Sequence, residues 1–415
     1  MKDFYKFIKQ FLQNNGLNVF ISIFLSKFTM LINTIFIVKM INQAEFGRIT
    51  LIASVLSFFT PWNGIGSLQM FMKYGSELEN EVDKNQLGQH LFWKGLVNQL
   101  IVSVLFVCVC LIYTIKFDHL FWIIFFFTIR LFGYYFLSHI IIDFRIKGNN
   151  KKFAEINNIT NIVGLIITFA LTYFYGALGY VISLAIGPFI SFIYLKSYHF
   201  QQSILEKKYD FKAMWNYGRL ESFAYFASEL LFAIDIAMIA YFMTENDIAL
   251  YKVAILLPLN LIFLPTILMQ TDFPKLVQRA KDKNYLKFYI KNYYRIFIPI
   301  GIIILFGSFF LKDFILQLFF SKAYIKGDFI FFISSCAVVL ALWFRVLYLN
   351  LFSVIGYAKW NSIISVLSIV VLVISDMVLI PKYQLEGAAI SLAFTYLFSG
   401  FFAMLVFFNY LKKLT

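Results

Sequence analysis

Twelve apolar runs, each close to the length that crosses a bilayer, limit what this chain can fold into. They fall near residues 18–41, 47–69, 92–114, 119–142, 155–175, 178–198, 220–243, 248–271, 294–312, 328–350, 360–380 and 385–410. About 20 helical residues, rising about 1.5 Å each, traverse a hydrocarbon core roughly 30 Å thick. Apolar residues make up 61% of the chain and charged residues 14%, a mixture too apolar for a water-facing surface. The sequence therefore predicts an all-α polytopic membrane protein with 12 transmembrane helices.

Charge predicts the orientation. With the N-terminus placed in the cytoplasm, 25 of the 36 Lys and Arg fall in cytoplasmic segments, 8 on the opposite side and 3 within spans. Cytoplasmic loops carry such an excess, so both termini are expected inside. The same count explains the net charge of +14 without a nucleic-acid partner, because the cations are dispersed over short loops and form no single basic face. Ahead of the first span, Phe4, Phe7, Ile8 and Phe11 would give residues 4–15 one apolar face, as in an interfacial helix. No small-residue cleavage site follows that span, so no removable signal peptide is expected.

The chain also repeats itself. Gly148, Lys151, Gly179 and Ile182-Ser183-Leu184-Ala185 recur 208 positions later as Gly356, Lys359, Gly387 and Ile390-Ser391-Leu392-Ala393. Over Gly148–Ser191 against Gly356–Ser399 there are 13 identities in 44 gapless positions. Pro61 and Pro265 correspond at an offset of 204. We read a duplication into a six-helix lobe at 1–200, a polar cytoplasmic linker at 201–212 and a second six-helix lobe at 213–415. Six is even, so both copies enter the membrane the same way up, related by a pseudo-two-fold along the membrane normal. Tight turns at Gly179 and Gly387, followed by small residues every four positions, read as packing devices.

Enzyme chemistry finds little support. Cys108, Cys110 and Cys336 lie in apolar runs without metal or redox spacing, and the four histidines are far apart. No HExxH, P-loop, GxGxxG or GxSxG pattern occurs, and no cofactor is implied.

Candidate functional residues are the ionisable groups inside spans, each costing at least about 2.5 kcal/mol at a helix centre. Lys27, Arg130 and Glu229 fall near the midplane, Arg345 in the inner half, Asp235 and Asp376 in the outer half. Lys27 and Glu229 occupy spans made equivalent by the duplication, so we expect them to face one polar cavity between the halves. Lys27, Arg130 and Arg345 would attract an anionic substrate, and Glu229, Asp235 or Asp376 would take up a coupling proton or sodium ion. Pro61, Gly64 and Gly66 predict a kink or break in span 2, and Pro265 one in span 8, as hinges for alternating access. Trp62 and Trp343 lie deeper than the other tryptophans, where packing or sugar stacking would suit them.

Several motifs in order resemble the polysaccharide repeat-unit flippases of the Wzx type, within the MATE-like multidrug/oligosaccharidyl-lipid/polysaccharide exporter superfamily. They are Glu45-Phe46-Gly47-Arg48, Gly64-Ile65-Gly66 leading to Lys73-Tyr74-Gly75, Arg145-Ile146-Lys147-Gly148-Asn149-Asn150-Lys151, Tyr217-Gly218 with Asp235, and Gly356-Tyr357-Ala358-Lys359. Length and the 6+6 layout agree along nearly the whole chain. One departure is Arg219-Leu220-Glu221, where such proteins often carry proline. The resemblance implies a bacterial inner-membrane flippase for undecaprenyl-pyrophosphate-linked oligosaccharide, as in O-antigen or capsule assembly. It further implies coupling to an ion gradient, no ATP site, and membrane lipids and other polysaccharide-assembly proteins as partners. Three rivals stand beside it: a drug or metabolite antiporter of the same fold, a membrane polymerase or ligase, and a structural scaffold. The cations in spans 1, 4 and 10 disfavour the first. The short outward loop at 313–327 disfavours the second, and the midplane charges disfavour the third.

Overall fold

The computed structural model describes residues 29, 31–195 and 209–414. Lys27, the expected interfacial helix at 4–15, half of span 1 and most of the linker lie outside the described residues. Within them the chain is helical and without strands. The helices are α1 (Leu31–Met40), α2 (Gln43–Phe59), α3 (Ser67–Ser76), α4 (Glu81–Tyr113), α5 (Phe121–Ile146), α6 (Asn150–Ile186), α7 (Phe211–Phe242), α8 (Glu245–Asn260), α9 (Phe263–Gln278), α10 (Lys283–Phe319), α11 (Asp328–Leu340), α12 (Val346–Val354) and α13 (Ala358–Lys413). Side chains start several of them. Asn42, Asn80 and Asp282 each accept a backbone N–H in the first turn of α2, α4 and α10. Thr244 and Asp247 form a capping box on α8.

Eight segments among the described residues are long and apolar enough to cross a membrane, or nine with the bent pair within α7. The chain is thus a multi-pass membrane protein. A straight helix of α13's 56 residues would run about 84 Å, far beyond any bilayer. It reverses at Gln384 (φ 52°, ψ −133°), as α6 does at Gly176 (φ 58°, ψ −136°). These two positions are 208 apart. The same offset relates Gly148 (φ 70°) to Gly356 (φ 75°). It also relates Gly179, seated against the carbonyl of Leu171, to Gly387 against that of Leu379. The duplication read from side chains is thus repeated in the backbone.

The chain divides into two compact units, residues 36–237 and residues 238–414, the second joined by the described residues before Phe36. Most of α7 packs with the first unit, although it follows the linker. A Cβ placed on Gly66 would lie 2.4 Å from the carbonyl carbon of Gly218, and one on Gly218 would lie 2.4 Å from the oxygen of Gly66. Only two glycines let α3 and α7 approach that closely. Lys73 lies over the Tyr217 ring at 3.9 Å, beside an edge-on Tyr74–Tyr217 pair, so two of the quoted sequence motifs meet here.

Span 2 is broken where Pro61, Gly64 and Gly66 predict it. A 3-10 segment, Thr60–Gly66, joins α2 to α3, with Asn63 extended and Gly64, Ile65 and Gly66 at positive φ. Apolar surroundings make unpaired backbone groups costly, and α4 supplies partners. Gln99 accepts the Gly64 N–H at 2.9 Å, and Asn98 donates to the Gly64 carbonyl at 3.4 Å. In span 8 the interruption falls at Leu261 and Ile262, between Pro258 of α8 and Pro265 in the first turn of α9. There proline's missing N–H costs nothing.

Span 10 carries an interruption the sequence did not announce, a π-helical turn at Ala341–Arg345 between α11 and α12. The Tyr293 hydroxyl donates to the Leu342 carbonyl at 2.7 Å. The Trp343 indole lies against Gly301 and donates to Phe297 O at 2.8 Å. Trp343 is a packing residue, its one polar group already engaged.

Candidate functional site

The unit of residues 36–237 holds a cavity of about 200 Å³ among apolar spans. Three helix faces line it. Ala53, Leu56 and Ser57 of α2, with Thr60 at the start of the break, recur at helical spacing. Arg130 and Tyr134 are one turn apart on α5, as are Tyr225 and Glu229 on α7. Two residues singled out in separate spans, Arg130 and Glu229, therefore face one space.

Arg130 donates through Nε (3.1 Å) and Nη2 (2.6 Å) to the single hydroxyl oxygen of Tyr134. Its guanidinium also lies 5.1 Å from the Tyr134 ring and 5.6 Å from that of Phe127. A guanidinium has five N–H donors, and the described residues accept only these two hydrogen bonds from it. The remaining donors are open to an anion entering the cavity. Tyr225 and Glu229 form the opposite wall, one turn apart on α7. Ser57 and Thr60 donate to the carbonyls of Ser54 and Leu56, which leaves their oxygens able to accept. The cavity thus joins an acidic and a basic group across a hydroxyl-lined gap.

The other candidates lie elsewhere. Asp235 is six residues beyond Glu229, past the bend within α7, and is buried. Arg345 and Asp376 belong to the second unit. Arg345 closes the π turn, donates to Ser399 at 3.3 Å and lies 5.4 Å from the Tyr396 ring. Asp376 is fully buried, at the position equivalent to Thr168 of the first copy. Thr168 accepts a 3.0 Å hydrogen bond from Ser183, whose counterpart is the buried Ser391. The first repeat thus carries a neutral pair across its hairpin where the second carries a carboxyl group and a hydroxyl. Trp62 packs edge-on to Phe223 and tilted on Phe226.

Sequence reasoning missed Tyr134, Tyr225, Ser57 and Thr60. The signal was present: each aromatic sits four residues from a midplane charge, on the same helix face.

No protein-family model matches the chain, and no curated protein matches it. Solved structures do. The lipid II flippase MurJ in an inward closed conformation superposes with a TM-score of 0.75 at 15% identity, over 94% of this chain and 87% of that one. An inward-facing multidrug resistance MATE transporter of the MOP superfamily gives 0.68 at 11% identity, over 94% and 95%. The MATE multidrug transporter DinF-BH gives 0.62 at 15%, over 95% and 94%. The chain therefore has the fold that MurJ and these MATE transporters share, the fold that the motif resemblance implied.

Proposed function

We propose that the chain is a flippase that moves polyprenyl-pyrophosphate-linked oligosaccharide units across the bacterial inner membrane by alternating access, in the manner of the Wzx-type proteins. The carrying observation is Arg130, held inside apolar spans with unused donors facing a cavity. A cation among apolar spans is costly, and the hydroxyl that holds this one carries no charge to offset it. A pyrophosphate would supply that charge, and guanidinium is the side chain best matched to phosphate oxygens. The cavity is smaller than the roughly 300–1,000 Å³ of ordinary small-molecule sites, so it suits a headgroup and not a whole glycan. Glu229 opposite, and Asp376 in the second unit, are the carboxylates we assign to proton or sodium coupling. With each hairpin counted as two crossings, and span 1 added, the layout would be twelve helices with both termini cytoplasmic. The likeness to the lipid II flippase MurJ supports lipid-linked cargo, as does the order of the sequence motifs.

Deletion of the chain in its host, followed by leaflet-specific labelling of lipid-linked repeat units, tests this. Units accumulating on the cytoplasmic side are expected. Unpolymerised units accumulating on the outer side would point to a polymerase instead. Glu229 favours one second reading, export of cationic compounds. It predicts that deletion leaves repeat units correctly placed and lowers resistance to cationic dyes.

A further inference from the structure

Helix α10 begins with four cations at strict four-residue spacing: Lys283, Lys287, Lys291 and Arg295. No Asp or Glu occurs between Lys283 and Lys312. Four-residue spacing stacks like charges on one helix face, an arrangement that destabilises a helix by itself. The first of them also sit at the positive end of the helix dipole, where cations are disfavoured. Lys287, Lys291 and Arg295 are exposed, and no acidic side chain pairs with them among the described residues. The opposite face of the same turns is the helix's packing face, with Leu286, Tyr289 and Tyr293 in the core. Tertiary packing therefore fixes the stripe outward without neutralising it.

The rest of α10 says what lies against that stripe. The helix has 37 residues, about 55 Å, so its basic start extends well beyond a core roughly 30 Å thick. At 100° per residue, Lys287, Lys291 and Arg295 lie within the same arc as the exposed Ile298, Ile302, Phe306 and Phe309. The cationic stripe thus runs directly into an apolar, outward face. The end of α13 adds charge beside it. Lys283 donates to the carbonyl of Leu414, and Tyr410 to that of Ala280 at 3.5 Å, which brings the exposed Lys412 and Lys413 alongside.

We propose that this face of α10 is a binding surface for anionic phospholipid, with phosphate on Lys287, Lys291 and Arg295 and acyl chains along Ile298, Ile302 and Phe306. Charge complementarity and the continuity of the cationic and apolar surfaces on one arc specify a lipid: a soluble acidic partner would have no use for the apolar half. The surface belongs to the second unit, whereas Arg130 and Glu229 belong to the first, and it stands independently of the cargo reading.

The full chain, purified in detergent, is titrated with phosphatidylglycerol and separately with phosphatidylcholine, and bound lipid is counted by native mass spectrometry. We expect phosphatidylglycerol to bind in preference, and Lys287→Gln/Lys291→Gln/Arg295→Gln to weaken it at least about tenfold, given the contribution of each cation near an anionic surface. Lys287→Arg/Lys291→Arg, which keeps the charge, retains binding, and thermal melts of both variants report folding. Equal binding of the two lipids would overturn the proposal, as would an unchanged affinity in the folded glutamine variant. So would exclusive retention of polyprenyl pyrophosphate by the stripe.

Discussion

Arg130 makes its two hydrogen bonds to one tyrosine oxygen, and that economy of partners sets its behaviour. Tyr134 orients the guanidinium without neutralising it, so the charge remains available to a ligand. Arg130→Gln removes the charge and should lower transport at least about tenfold at normal protein level, since hydrogen bonds to charged groups are worth about 1.5–3 kcal/mol each. Tyr134→Phe keeps the cation and loses its orientation, so a smaller loss is expected, mainly in the apparent affinity for cargo. Reconstituted transport of a lipid-linked unit measures both; a Tyr134→Phe variant more damaged than Arg130→Gln would assign the main role to the tyrosine. The midplane charges were legible in the sequence because charge within an apolar run is conspicuous. Their partnership was not. Symmetry suggested Lys27 opposite Glu229, and Lys27 lies outside the described residues. The structure instead places Glu229 and Arg130 on one cavity lined by α2, α5 and α7, which no pattern along one helix reports.

Helix breaks are the second scale, and there proline and glycine are good guides. Pro61, Gly64 and Gly66 announced the break in span 2, whereas the π turn before α12 has neither residue and was invisible. What holds each break comes from another element: Gln99 and Asn98 for the first, Tyr293 for the second. Gln99→Ala should cost about 1–3 kcal/mol, the penalty for a buried N–H left without its acceptor. The glycine pair makes a sharper test. Gly66→Ala or Gly218→Ala would drive a methyl into backbone 2.4 Å away, and each should destabilise by at least about 1–3 kcal/mol. Gly307→Ala, in α10 with nothing within 4 Å, should be neutral or stabilising by up to about 1 kcal/mol. Thermal unfolding in detergent compares the three, and equal midpoints would mean that α3 and α7 do not need the close approach.

At the scale of the whole chain the repeat was legible because turn and packing residues recur at one offset, and matching backbone angles recur at the same offset. The compact units are less legible, because α7 is drawn to residues 36–195 by a contact between two glycines, which carry no periodic signal. The duplication also yields a prediction in which the two copies respond oppositely to the same exchange. Gly176 and Gln384 share a backbone conformation with positive φ and strongly negative ψ, the geometry of the first central residue of a type II′ turn. Glycine adopts it freely, whereas glutamine is strained there by about 1–3 kcal/mol. Gln384→Gly relieves that strain and loses about 0.5–1 kcal/mol through the greater freedom of the unfolded chain. A net stabilisation of about 1 kcal/mol is expected. Gly176→Gln imposes the strain on the first copy and should destabilise by a similar or larger amount. No side-chain contact constrains this second change, since a Cβ on Gly176 meets nothing within 4 Å. Midpoints of thermal unfolding in detergent should therefore move up for Gln384→Gly and down for Gly176→Gln. Shifts of the same sign would show that the two hairpins reverse by different geometries, and the backbone equivalence of the repeats would fall with them.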